Sequence, residues 1–114
     1  MMYNNDILFG HIVITVPTKM YLRDIVYALS TSDLELFNIK SNVYQDPKTV
    51  GAIIYISFEK KITDKTIKIS NTDFVKQISK VLEKSNIKYF SISTLFGAIG
   101  GAVYMTCSNI EYPE

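Results

Sequence analysis

Alternation with a period of two marks the first patterned stretch of the chain. From Phe9 to Pro17, His11, Val13 and Thr15 alternate with Ile12, Ile14 and Val16, and β-branched residues of the kind strands favour prevail. The pattern predicts a strand apolar on both faces, hence central and covered on at least one side. Pro17, with no N–H for a ladder, ends it. Thr18 then offers an N-cap, and Leu22, Ile25, Val26 and Leu29 recur at helical spacing, which predicts a first helix to about Ser30. After the polar break at Ser30 to Asp33, Phe37, Ile39, Ser41 and Val43 alternate with Asn38, Lys40, Asn42 and Tyr44, a second strand with one wetter face. Asp46-Pro47-Lys48-Thr49, followed by Gly51, marks a turn. The strand expected next, Ala52 to Glu59, has Ile54, Ile56 and Phe58 on one side and Ile53, Tyr55 and Ser57 on the other, which places it near the sheet centre.

Lys60 to Ser70, with a tight turn expected at Asp64-Lys65, predicts a short extra strand whose alternating lysines suit a sheet edge. Asn71 or Thr72 can cap a second helix running to about Ser85, with Phe74, Val75, Ile78, Val81 and Leu82 on its apolar stripe. Asn86 is placed for the left-handed conformation that closes helices. Lys88 to Leu95 and Ala102 to Ile110 read as a closing hairpin joined around Gly97, Gly100 and Gly101. The order βαββ(β)αββ, with one apolar stripe per helix, is satisfied by an α+β two-layer sandwich: a mostly antiparallel sheet with both helices on one face, in a single compact domain spanning 1–114. That order is similar to the ferredoxin-like superfold, which hosts unrelated functions. Val16-Pro17-Thr18-Lys19, Leu22, Ala28-Leu29 and Asn38-Ile39 also give the segment from Ile12 to Phe58 a loose resemblance to amino-acid-binding regulatory ACT domains. Where that family carries a glycine at the helix start this chain has Met20 or Tyr21, and less than half of the chain is covered.

Composition narrows the function classes. Twelve basic against eleven acidic residues give a net charge of +1, too little for a highly basic nucleic-acid module. One cysteine, Cys107, and one histidine, His11, exclude an intramolecular disulfide and a structural zinc site built from Cys and His. No secretory leader is visible at the start. The apolar centre of the longest uncharged stretch, Leu95 to Met105, is too short to span a bilayer, so the reading is a cytoplasmic protein with no membrane partner. Lys far outnumbers Arg and Ile outnumbers Leu, a bias of AT-rich coding that leaves a mobile-element origin open.

No catalytic motif emerges. The nucleophilic arrangement that can be written, Cys107 with His11 and Asp24, has no supporting spacing, and Cys107 reads as a small strand residue. Asp33 and Glu35 would share one face of a strand and could hold a hard cation, although a solvated edge accounts for them as well. The Leu95 to Ala102 segment lacks both the Walker lysine and a following helix. Its glycines suit a hairpin turn or bulge, while Phe96, Ile99 and Ala102 form an apolar loop suited to a subunit interface. Lys60, Lys61, Lys65 and Lys68 cluster about one expected turn, and Tyr44, Tyr55, Tyr89 and Tyr104 lie on expected strands, but the ribonucleoprotein motifs are missing.

The expectation is therefore a non-catalytic binding module without a cofactor, a homo-oligomer that holds a small anionic metabolite or nucleotide at a subunit interface. Lys19, Arg23 or Lys60 would supply positive partners, and Gly97, Gly100 and Gly101 backbone amides. The alternatives are a phage- or plasmid-type protein-binding inhibitor or adaptor using a sheet edge or the C-terminal hairpin, and a weak RNA- or ssDNA-binding sheet.

Overall fold

The computed structural model describes residues 7–45, 48, 51–61, 71–98 and 106–111. The elements are β1 (Ile7–Val16), α1 (Leu22–Thr31), β2 (Phe37–Gln45), β3 (Ala52–Lys61), α2 (Asn71–Lys84), β4 (Ser91–Ala98) and β5 (Thr106–Glu111). They form one antiparallel sheet in the order β2-β3-β1-β4-β5 with two helices. β1 is the central strand, as its two apolar faces anticipated.

Strand alternation decides where the core lies. Ile12, Ile14 and Val16 of β1 are buried, and their register partners on β3, Ile56, Ile54 and Ala52, are buried with them. On the other side Ile14 stands opposite Ile92 of β4. Ile25, Ala28 and Leu29 of α1 and Phe74, Val75, Ile78 and Leu82 of α2 join these residues in a single cluster, so both helices pack on the same sheet face. Between α1 and the strands, Thr18 caps a 3-10 turn (Lys19–Tyr21) through its Oγ1, which accepts from the Met20 N–H at 3.3 Å. α1 therefore starts one turn later than a cap at Thr18 implies.

Several local features follow from backbone chemistry. Asn86 is left-handed (φ 58°); its N–H donates to the Glu83 carbonyl at 3.1 Å and that of Ile87 to Leu82 at 3.0 Å, which is the Schellman closure of a helix. Ile87 and Leu82, the two apolar residues this closure brings together, are both buried. Tyr89, expected on a strand, precedes β4: buried Tyr89 and Ile92 are three apart, so the alternation breaks at Phe90. The ring of Tyr89 turns inward instead, where its hydroxyl lies 2.8 Å from Ser79 Oγ. Ser79 in turn donates to Glu83 Oε2 at 2.6 Å, so Tyr89 is the donor to Ser79.

Other expectations need correction. Gly97 lies inside β4 opposite Phe9 and not in a turn, and β3 runs two residues beyond Glu59 to include Lys60 and Lys61. Asp33 and Glu35 lie in the α1–β2 connection, Glu35 at φ 60°, and share no strand face. In β2 a bulge between Phe37 and Lys40, with Asn38 at φ 50°, shifts the pairing. Phe37 stands opposite Glu59 on one sheet face, while Ser41 and Val43 stand opposite Ile56 and Ile54 on the other. The Lys65 and Lys68 strand, the Asp46-Pro47 part of the turn, and Ile99, Gly100, Gly101, Ala102 and Tyr104 lie outside the described residues.

Gly10 is the tightest fit in the core. It stands directly opposite Phe58, whose ring lies over it and packs against Phe74 at 5.7 Å between centroids. A Cβ added at Gly10 would meet Phe58 Cζ at 2.1 Å. Gly10→Ala should therefore lower stability by about 1–3 kcal/mol in urea unfolding, the usual penalty of overpacking. At the end of α2, Asn86→Ala should cost about 1 kcal/mol while Asn86→Gly is neutral or stabilising, because glycine carries no left-handed penalty.

Candidate binding face

Because the helices cover one sheet face, the residues between the buried ones emerge on the other. β1 contributes Phe9, His11, Val13 and Thr15; β3 contributes Ile53, Tyr55, Ser57 and Glu59; β2 adds Lys40, Asn42 and Tyr44, and β4 adds Ser91, Ser93 and Leu95. No helix among the described residues covers this face. Phe9 is 36% exposed, Tyr55 46% and Tyr44 56%.

Register fixes how these side chains meet. Val13 stands between Tyr55 and Ser93, and Tyr55 also faces Asn42. Tyr44 stands opposite Ile53, which makes Tyr44 and Tyr55 diagonal neighbours about 7–8 Å apart, within reach of two aromatic rings. Polar groups at the margins bind one another: Thr15 Oγ1 lies 2.7 Å from Ser91 Oγ, and Asn38 Nδ2 donates to Glu59 Oε2 at 2.5 Å. The apolar and aromatic side chains are thus interrupted by His11 and Ser57, and at the margins Thr15, Ser91 and Glu59 already have partners. Such a face binds by area and shape more than by charge.

The residues expected to hold an anion are not gathered in one place. Lys19 is exposed just beyond the end of β1, and Arg23 is exposed on α1. Lys60 pairs with Leu8 near the opposite end of β1, eight residues from the Val16 end and so about 27 Å away at strand rise. Its side chain is buried on the helix side, where Nζ donates to the Leu34 carbonyl. Gly97 stands opposite Phe9, and Phe96 opposite Gly10 and Thr106.

The nucleophilic arrangement is likewise spread out. Cys107 pairs with Leu95, which pairs with His11, so the Cys107 and His11 backbones lie two strand spacings apart, about 10 Å. Asp24 belongs to α1, on the layer opposite the face that carries His11. Among the described residues no group of three or more His, Cys, Asp and Glu side chains could hold a metal ion.

Sequence reading singled out Tyr44 and Tyr55 but passed over Phe9 and Val13. The signal for them was the second apolar face of β1, which implied either a covering layer or a partner. Fold and face together define an α+β arrangement with one sheet face that no described helix covers. No protein-family model and no curated protein matches the chain. Among solved structures it is similar to the de novo designed protein Foldit4, with a TM-score of 0.48 and 12% identity over 84% of this chain and 99% of that one. No described helix is long and apolar enough to cross a membrane.

The position of Lys60 yields a test that separates a structural from a ligand-binding lysine. Lys60→Ala should lower stability by about 1.5–3 kcal/mol in chemical unfolding, the range for a hydrogen bond to a charged group.

Proposed function

We propose that this protein is a non-catalytic binding module that works by self-association, two copies meeting through their uncovered sheet faces. The proposal includes a ferredoxin-like reading of the fold: β1 and β2 run parallel with β3 antiparallel between them, β4 flanks β1 on its other side, and β5 extends the sheet. The observation that carries the function is the exposure of Tyr55 and Tyr44 beside half-buried Val13, with exposed Phe9 further along β1 on the same face beyond His11. Exposed apolar patches of this kind mark contact surfaces.

Area and charge favour a second copy as the occupant. Five strands about eight residues long span roughly 24 Å by 27 Å, a projected 650 Å² or so that side-chain relief raises toward the ~800 Å² per partner of a stable interface. A net charge of +1 gives two copies little reason to repel. Single-stranded nucleic acid fits less well, because the cations at this face are Lys40 and Lys61 at its margin, beside Glu59. A small anion at the interface is not part of this proposal, since Lys19 and Lys60 stand at opposite ends of the sheet.

Sedimentation velocity across a concentration series tests the reading. The protein should approach twice the mass of one chain as concentration rises, and Tyr55→Lys combined with Val13→Lys should weaken association at least about tenfold, as loss of central contacts does. This double variant should keep the native far-UV circular dichroism. A wild-type chain that stays monomeric at every concentration would overturn the proposal.

A further inference from the structure

A second surface lies away from that face, at the edge of the sheet. β2 is the terminal strand among the described residues, so one side of its backbone has no strand partner. Natural edges are usually blunted by charge, proline or a bulge. The first half of β2 is blunted in two of these ways, by the bulge between Phe37 and Lys40 and by Lys40 itself. The second half, Ser41 to Gln45, carries no charge and no proline and pairs regularly with Ile56 to Ala52. It is a five-residue edge left open to pairing.

Beside this edge a shallow, open groove of about 460 Å³ lies between β2 and α1, lined by Leu22, Arg23, Val26, Tyr27, Ser30 and Ser41. Five of these follow one side of α1, and Ser41 lies on the helix side of β2, opposite Ile56. A strand added to β2 would send every second side chain toward this groove. We infer that the β2 edge and the β2–α1 groove together take an extended peptide by strand addition, the peptide offering apolar side chains at alternate positions and a carboxylate to Arg23.

Charge complementarity identifies this occupant. Arg23 is exposed and, among the described residues, is the one charged side chain lining the groove, with no acidic side chain in that lining. A second copy presenting its own β2 would offer Phe37–Gln45, which contains a lysine and no carboxylate. Five paired residues would also bury far less than the ~800 Å² per partner that a stable dimer needs. A peptide has neither difficulty, because ladder hydrogen bonds supply affinity while the groove selects side chains. Tyr27, 70% exposed at the groove, is placed to close over an apolar side chain.

The test pans random twelve-residue peptides displayed on phage against the intact protein, then follows backbone amide exchange with an enriched synthetic peptide bound. Enriched sequences should share alternating apolar residues and an Asp or Glu, and binding should slow exchange at alternate amides within Ser41 to Gln45. Arg23→Glu should weaken that peptide about fivefold and Tyr27→Ser about tenfold, and since both side chains are exposed, the fold should survive, as circular dichroism would verify. Tyr55→Lys, on the other surface, should leave peptide affinity unchanged, which separates this inference from the self-association reading. Failure to enrich any sequence, or enriched peptides that leave exchange in Ser41 to Gln45 untouched, would overturn it. So would protection of those amides that grows with protein concentration alone, the signature of a second copy at the edge.

Discussion

The central strand β1 is held by two ladders at once, and that double register fixes everything packed around it. From Leu8 to Thr15 it pairs with β3 on one side and β4 on the other. A slip of one residue in either ladder would turn Ile12, Ile14 and Val16 from the core to the open face and bring His11 and Thr15 into it. The same constraint that builds the core also creates the open face, because period-two alternation gives every buried residue of β1 a neighbour pointing away. Phe9 and Val13 are apolar on that far side, so the strand most firmly fixed in the sheet also carries apolar side chains on its open face.

Packing under the helices depends on a glycine at one point of this strand. Phe58 lies over Gly10 and reaches Phe74 of α2, so a residue without a side chain lets an aromatic ring link the sheet to the helix layer. Nearby polar groups enter the core with partners. Tyr89 donates to Ser79, which donates to Glu83, and no buried side-chain nitrogen or oxygen among the described residues lacks a hydrogen bond. Such closure matters because an unpaired buried polar group costs about 1–3 kcal/mol. The inward turn of Tyr89 thus has a local cause: its hydroxyl has a partner on α2, and the strand starts only after that anchor.

Periodicity made the layers, the helices and the central place of β1 legible, since those features rest on long repeats of apolar residues. Asn86 was legible too, because a left-handed asparagine after a helical run is local chemistry. What escaped was non-local or depended on one extra residue. The bulge at Asn38 divides what reads as a single alternating face, leaving Phe37 on one side of the sheet and Ser41 and Val43 on the other. Lys60 read as one of several lysines clustered about an expected turn, yet the phase of β3 carries it inward to the Leu34 carbonyl, a partner 26 positions away that no local pattern encodes. Within one chain, Lys19 and Lys60 are likewise brought together by neither sequence spacing nor register.

A sheet with one face covered exposes two surfaces of different physical kind, and each suits a different sort of partner. The face around Val13 offers side-chain area with little net charge, a non-directional attraction that another copy of the same surface can satisfy without any special residue. The edge at Ser41 to Gln45 offers backbone donors and acceptors whose spacing accepts an extended chain, while the neighbouring groove adds Arg23 as a charge to be matched. Since the open face looks away from the helices and the groove opens between α1 and β2, occupancy of one does not require the other to be vacant. Two copies joined by their faces would hold two peptide edges at a fixed separation. A partner carrying two such peptides would then be bound with an effective concentration set by the dimer, so that a modest strand-addition affinity at each edge becomes a strong one for the pair.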